Sequence, residues 1–205
     1  MGKLIVTEFM TADGVAQAPG AREEDREQGF DWGGWQAPFP DEGAGEVMFE
    51  QAAEMDALLL GRRTYEIFAD YWPNAPEEIP FTGLLNRVPK YVASGTLSGP
   101  LAWAGSSLLT GDAAASVAAL KDRHENVQVI GSLDLVQSLL GAGLVDELHL
   151  WQYPLVLGTG KRVFGDGVPP TLLELTESVT HAGGVLQLTY ETAGVPTTGD
   201  MTLVG

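Results

Sequence analysis

Two patterns of apolar residues run along the chain. Short, mostly apolar runs at residues 4–9 (LIVTEF), 56–60 (DALLL), 88–93 (VPKYVA) and 127–130 (VQVI) have the length of buried strands. Residues 147–153 (ELHLWQY) alternate polar and apolar, and residues 172–180 and 185–192 predict two last strands joined as a hairpin. Between the runs, residues 46–55, 64–71, 113–124 and 133–140 predict helices. Asp112 stands where a side-chain oxygen can cap the third of these, and Pro89 marks strand entry or a sheet edge. Residues 10–45 read as one long loop, and loops of that length carry function or move. Trp32 and Trp35 lie among its glycines, which predicts that part of it packs.

The order is strand, loop, helix, strand, helix, strand, then helix, strand, helix and three strands. Repeated β-α-β units predict an α/β fold with a mainly parallel central sheet flanked by helices. The consecutive strands at the end predict an antiparallel C-terminal edge. Without repeats or a low-complexity linker, residues 1–193 read as one domain and residues 194–205 as a tail.

Composition removes several functions. The chain has 205 residues, 28 acidic and 11 basic, a net charge of −17, and no cysteine. Lack of cysteine excludes disulfides, thiolate metal sites and a cysteine nucleophile, and fits a cytoplasmic protein. The negative charge argues against nucleic-acid binding, which depends on lysine and arginine replacing counterions. With no apolar stretch of membrane-spanning length, no membrane partner is expected. Glu23, Glu24, Asp25 and Glu27 cluster and read as a solvated acidic face. His124, His149 and His181 have no metal-ligand spacing, so no metal site is expected. Gly158-Thr-Gly160-Lys161-Arg162 meets neither the dinucleotide fingerprint nor the P-loop pattern.

Three strand-to-helix or strand-to-turn junctions carry chemistry. At the first, the run ending Leu60 meets Gly61, Arg62, Arg63 and Thr64. A helix start offers free N–H groups, and two arginines add forked donors suited to phosphate; a cap with two solvated arginines is the plain alternative. The second is Gly131, Ser132 and Leu133, where Ser132 either caps its own helix or donates to a diphosphate. The third is Ser94-Gly95-Thr96, whose hydroxyls suit an adenosine phosphate or form an ordinary turn. In an open parallel sheet the C-terminal strand ends share one edge, so the three should gather there.

With Thr11-Ala-Asp13-Gly14, Tyr71-Trp72-Pro73, Gly143-Leu-Val-Asp-Glu-Leu148, Pro154-Leu-Val-Leu157-Gly158-Thr-Gly160 and Phe164-Gly-Asp-Gly167, these motifs resemble the RibD C-terminal reductase domain of the dihydrofolate reductase-like superfamily. The resemblance runs from about residue 3 to 192. It implies a stand-alone NADPH-dependent oxidoreductase, like 5-amino-6-(5-phosphoribosylamino)uracil reductase or dihydrofolate reductase. By resemblance, Gly61, Arg62, Arg63 and Thr64 hold cofactor phosphates and Ser94 and Thr96 flank the adenosine. Gly131, Ser132 and Leu133 meet the diphosphate or nicotinamide ribose. Asp13 and Gly14 border nicotinamide and substrate, and Leu157, Gly158 and Gly160 form the far wall. Asp13 and Glu50 are the candidate proton donors, although Asp13 alternatively only shapes its turn. Gly95 departs from relatives with a polar or basic residue, which shifts 2′-phosphate recognition to Arg62 and Arg63. Trp32, Trp35, Trp72, Trp151 and Tyr153 are candidate walls for a flat small-molecule substrate, or else core. Relatives imply a homodimer. Same-fold reduction of another metabolite and a non-catalytic nucleotide-binding module, with loop tryptophans filling the nicotinamide end, are the alternatives.

Overall fold

The structure is a computed structural model and describes residues 1–40 and 42–201. It contains β1 (Lys3–Thr11), α1 (Glu42–Ala53), β2 (Ala57–Gly61), α2 (Arg62–Tyr71), α3 (Pro80–Arg87), β3 (Lys90–Ala93) and β4 (Ser106–Leu109). After these come α4 (Ala113–Lys121), β5 (Asn126–Ile130), α5 (Leu133–Gly141), β6 (Glu147–Tyr153), β7 (Leu173–Thr180) and β8 (Leu186–Thr192). The strands form one eight-stranded sheet in the order β4-β3-β2-β5-β1-β6-β8-β7. Strands β4 to β6 are parallel, and β8 and β7 add antiparallel. The α/β class and the antiparallel C-terminal edge are therefore as the pattern predicts.

Period-two alternation explains the two faces of the sheet. On one face, Leu4, Val6 and Met10 of β1 join Val127, Val129, Leu148 and Leu150. They bury Val117 and Leu120 of α4 and Leu135, Val136 and Leu139 of α5. On the other face, Leu58, Leu60 and Val92 bury Tyr65 of α2 and Leu84 and Leu85 of α3, while Trp151 and Tyr153 meet Val15, Phe30 and Trp35. Each large apolar side chain removed from water contributes roughly 1.5–3 kcal/mol, so the sheet is anchored from both sides.

Several boundaries differ from expectation for local reasons. Helix α1 begins at residue 42, inside the stretch read as loop. Helix α3 was hidden by Pro80 and Gly83, yet Phe81, Leu84, Leu85 and Val88 keep the helical i, i+3, i+4, i+7 spacing. Strand β4 (SSLL) is a short edge strand with half its residues polar. Pro89 marks strand entry, since β3 begins one residue later between β2 and β4. Asp112 caps α4 as expected, its carboxylate accepting from the Ala115 N–H at 2.7 Å. Residues 12–40 are irregular but anchored, with Val15 to Ala18, Phe30 and Trp35 buried.

Among the described residues, a lysine and a glutamate lie in the core without an opposite charge. Lys90 donates to the Asn86 and Ala104 carbonyls, both at 3.0 Å, and lies 4.5 Å over the Trp103 ring. Burial pushes its amine down to about 8. Glu8 is 2% exposed and its Oε1 has no hydrogen-bond partner. Burial pushes that carboxyl up to about 8, so it is mostly protonated at neutral pH.

Candidate active site

Strands β3, β2, β5, β1 and β6 are parallel neighbours, so their C-terminal ends line one edge of the sheet. The three junctions therefore fall side by side, as expected. The Ser94 turn follows β3, Gly61 ends β2, and Gly131 follows β5.

The first two junctions are bonded to each other. Ser132 Oγ accepts the Gly61 N–H at 2.9 Å. Ser132 adopts the left-handed region (φ 68°, ψ 52°) and makes no side-chain bond to its own helix. Capping of α5 by Ser132 is therefore corrected: the hydroxyl serves the neighbouring junction. Gly131 has φ +69° and lies against Thr64. No side chain caps α2, so the N–H groups of its first turn, at Arg62, Arg63 and Thr64, have no side-chain acceptor from the N-cap. Arg62 is exposed and pairs with Glu66 one turn on, at 3.0 Å. Leu133 packs against the core. Ser94 Oγ accepts the N–H groups of Thr96 and Leu97 at 3.1 and 3.0 Å, which makes the ordinary-turn alternative concrete and leaves Thr96 exposed.

Beyond β1 the chain ties a knot around Asp13. Its Oδ1 accepts from the Thr11 hydroxyl at 2.6 Å and the Leu157 N–H at 3.2 Å, and its Oδ2 accepts from the Gly158 N–H at 2.8 Å. Arg162 donates to the Asp13 carbonyl at 2.9 Å. Burial opposes ionisation here, but the Thr11 hydroxyl and the two N–H donors outweigh it and hold the carboxyl below its ordinary range. Such a group carries no proton at neutral pH. Asp13 therefore acts as an acceptor joining Gly14 to the Leu157–Gly160 turn, in place of the proton-donor role. Gly160 (φ +112°) allows the close approach, because a Cβ there would meet Phe30 and Val15 at 2.7 and 2.8 Å. Glu50 is exposed on α1 and, among the described residues, is not in hydrogen-bond contact with Asp13.

The acidic cluster is not simply a solvated face. Residues 19–31 form a strap that reaches both α2 and the turn after Gly160. Asp25 Oδ2 lies 2.9 Å from Arg63 Nη1 and 2.9 Å from Lys161 Nζ. Glu27 bonds Arg63 through Oε1 and Lys161 through Oε2, the latter at 2.5 Å. Buried Gln17 donates to the Asp25 and Glu27 carbonyls at 3.3 Å each, and its Oε1 accepts the Lys161 N–H at 3.0 Å. Arg63 and then Lys161 pull the Glu27 carboxyl down to about 2. Burial opposes ionisation of Asp25, but Lys161, the Glu27 N–H and Arg63 lower it overall. Glu24 accepts from Gly20 and Ala21 at 2.8 and 2.9 Å, and only Glu23 fits the solvated reading, sharing Arg26 with Asp31.

Lys161, Gln17, Asp25 and Glu27 were missed as site residues. The Lys161 contacts span 134 and 136 positions, so no local pattern announces them. Of the aromatic candidates, Trp35, Trp151 and Tyr153 are core, with Trp35 edge-on to Tyr153 at 5.5 Å, whereas Trp32 is 57% exposed.

The donors along this edge suit a phosphorylated dinucleotide. Three cations, hydroxyls and an uncapped helix start converge on it, and the absence of a side chain at Gly61 leaves room beside Ser132. Fold and edge together define an α/β protein of the dihydrofolate reductase-like class. The chain belongs to the RibD C-terminal domain family, whose profile matches residues 2–187. It is 27% identical over 148 residues to the uncharacterised protein YyaP of Bacillus subtilis (strain 168), covering 69% of this chain and 76% of that one. A candidate riboflavin biosynthesis protein from Shewanella sp. PV-4 superposes with TM-score 0.69 at 21% identity, over 93% of this chain and 99% of that one. Dihydrofolate reductase from Enterococcus faecalis, solved with NADP(H), superposes with TM-score 0.56 at 16% identity, over 93% and 96%. Among the described residues no helix is long and apolar enough to cross a membrane.

Proposed function

We propose that the protein is an NADPH-dependent reductase that transfers hydride to a C=N or C=O carbon of a small pyrimidine- or pterin-like heterocycle. One observation carries this reading: the Gly61–Thr64, Gly131–Ser132 and Ser94–Thr96 junctions stand side by side at one strand edge, with arginines at the first. The E. faecalis relative solved with NADP(H) supports the choice of cofactor.

When bound, the reduced nicotinamide supplies the hydride. Arg62, Arg63 and the starting N–H groups of α2 would hold phosphate oxygens, with Arg62 exchanging its exposed Glu66 partner for a 2′-phosphate. The Ser132–Gly61 bond fixes the two helix starts against each other, so these donors are preorganised. The Asp13 knot holds Gly14 and the Leu157–Gly160 turn as one wall. With Asp13 ionised, the proton for the substrate heteroatom comes from water or from Glu50.

Titration with NADPH and NADH, read by tryptophan fluorescence, tests the reading. The expected result is saturable binding with NADPH preferred, and an Arg62→Ala variant that weakens NADPH about tenfold or more while leaving NADH nearly unchanged. Folded protein that binds neither nucleotide defeats the proposal.

A further inference from the structure

Arg63 and Lys161 come from opposite ends of the site, one from the start of α2 and one from the turn after Gly160. Both reach the same two carboxylates, each of which bridges both cations. Two linked anionic groups between a guanidinium and an ammonium match the spacing and charge of a diphosphate. The strap is also built to be separable. Its grip on the two cations is through side chains, Glu27 is solvent-facing, and Gln28 at its turn holds a left-handed backbone (φ 57°). Its two ends are pinned, by the Gln36 N–H on the Pro19 carbonyl at 3.2 Å and by buried Phe30, and between them Gln17 adds two bonds of 3.3 Å, so the span that can leave the cations is 20–29.

We propose that Asp25 and Glu27 are an internal, displaceable occupant of the Arg63–Lys161 cation pair, so that the strap and the diphosphate of an incoming dinucleotide compete for the same two side chains. This rests on the reductase reading and adds Lys161 to the phosphate-binding residues. Binding then requires residues 20–29 to swing off Arg63 and Lys161 between the anchors at Pro19 and Phe30, and the acidic cluster sets the affinity of the site.

The test uses the full chain, the double variant Asp25→Asn/Glu27→Gln and the charge-matched control Glu77→Gln/Glu78→Gln, whose two positions are exposed outside the site. Loss of two ion-pair anchors, one exposed and one largely buried, shifts a two-state strap by on the order of tenfold, so NADPH should bind the double variant about tenfold more tightly and the control within about twofold of the native protein. Trypsin supplies a second readout, because Arg22 and Arg26 lie in the strap. Cleavage there should be faster in the double variant without nucleotide, and NADPH should accelerate it in the native protein. Equal or weaker NADPH binding by the double variant, or protection of Arg22 and Arg26 by NADPH, overturns the inference. If NADPH binds none of the proteins, the reductase reading falls and inorganic diphosphate decides the inference. Tighter diphosphate binding by the double variant upholds it, and equal or absent binding overturns it.

Discussion

The Asp13 knot and the Asp25–Glu27 strap both use carboxylates to join the segment after β1 to the segment around Gly160, but they do so with different partners. Asp13 accepts from main-chain N–H groups and a hydroxyl two residues away. The two N–H donors are fixed by the backbone, and nothing entering from solvent can replace the carboxylate without unmaking the turn. Asp25 and Glu27 instead hold the ends of an arginine and a lysine. Long cationic side chains accept another anion in place of the first at little cost. The same residue chemistry therefore builds a permanent joint in one place and an exchangeable contact in the other. The difference is one of weight: Asp13 leans on two distant main-chain N–H groups, with the Thr11 hydroxyl and Arg162 Nη2 at 3.7 Å beside them, whereas Asp25 and Glu27 reach across the site only to the side chains of Arg63 and Lys161.

A carboxyl with neither kind of partner sets the scale for this comparison and gives the largest expected effect. Glu8 is raised from 4.5 to about 8 by burial, so between those values the folded chain keeps a proton that the unfolded chain has lost. Its contribution is thus most favourable below pH 4.5 and is lost as pH rises toward 8, by on the order of 4 kcal/mol at about 1.4 kcal/mol per unit. Denaturant unfolding from pH 5 to 8 should show that slope in the native protein and its loss in Glu8→Gln.

Next in size is the knot. Asp13→Ala leaves the Leu157 and Gly158 N–H groups without their acceptor and should cost about 2–4 kcal/mol, read as a lower denaturation midpoint. Because the Asp13 carboxyl is held low in the folded state, this contribution is present above its ordinary value near 3.8 and lost as pH falls through the lowered one. The gap between Asp13→Asn and the native protein should therefore close in acid. The smallest effect belongs to the strap. Asp25→Asn/Glu27→Gln should lower the denaturation midpoint far less than Asp13→Ala does, and that change should shrink further in molar salt. A loss as large as that of Asp13→Ala would erase the distinction between joint and contact.

The parts legible in the sequence are those whose cause is local. The β2–α2 junction was readable because a buried run, a glycine and a polar helix start follow one another within eight residues, from Leu58 to Tyr65. The antiparallel edge was readable because three strand patterns follow without an intervening helix. What was not legible depends on tertiary neighbours. Ser132 resembles a cap for α5, and only the adjacency of β2 and β5 shows that its partner is Gly61. Asp13 offered both a turn and an acid, and the choice came from Leu157 and Gly158, far along the chain. Glu8 stands between Thr7 and the apolar pair Phe9-Met10 in β1, but its lack of a partner is a property of the packed sheet. Helix α3 is a different case, since its spacing was present but masked by Pro80 and Gly83.

The bond between Ser132 and Gly61 bears on how such a sequence can diversify. A methyl group at position 61 would sit 3.4 Å from both the Cβ and the Oγ of Ser132, so the two positions share one small volume although 71 residues separate them. A methyl at 61 reaches ordinary contact with Ser132 and anything larger must displace it, while a lineage that loses the hydroxyl at 132 must supply another acceptor for the amide at 61. Aligned homologues should therefore vary at these two sites as a pair, with glycine or alanine at 61 wherever serine or a larger residue follows Gly131.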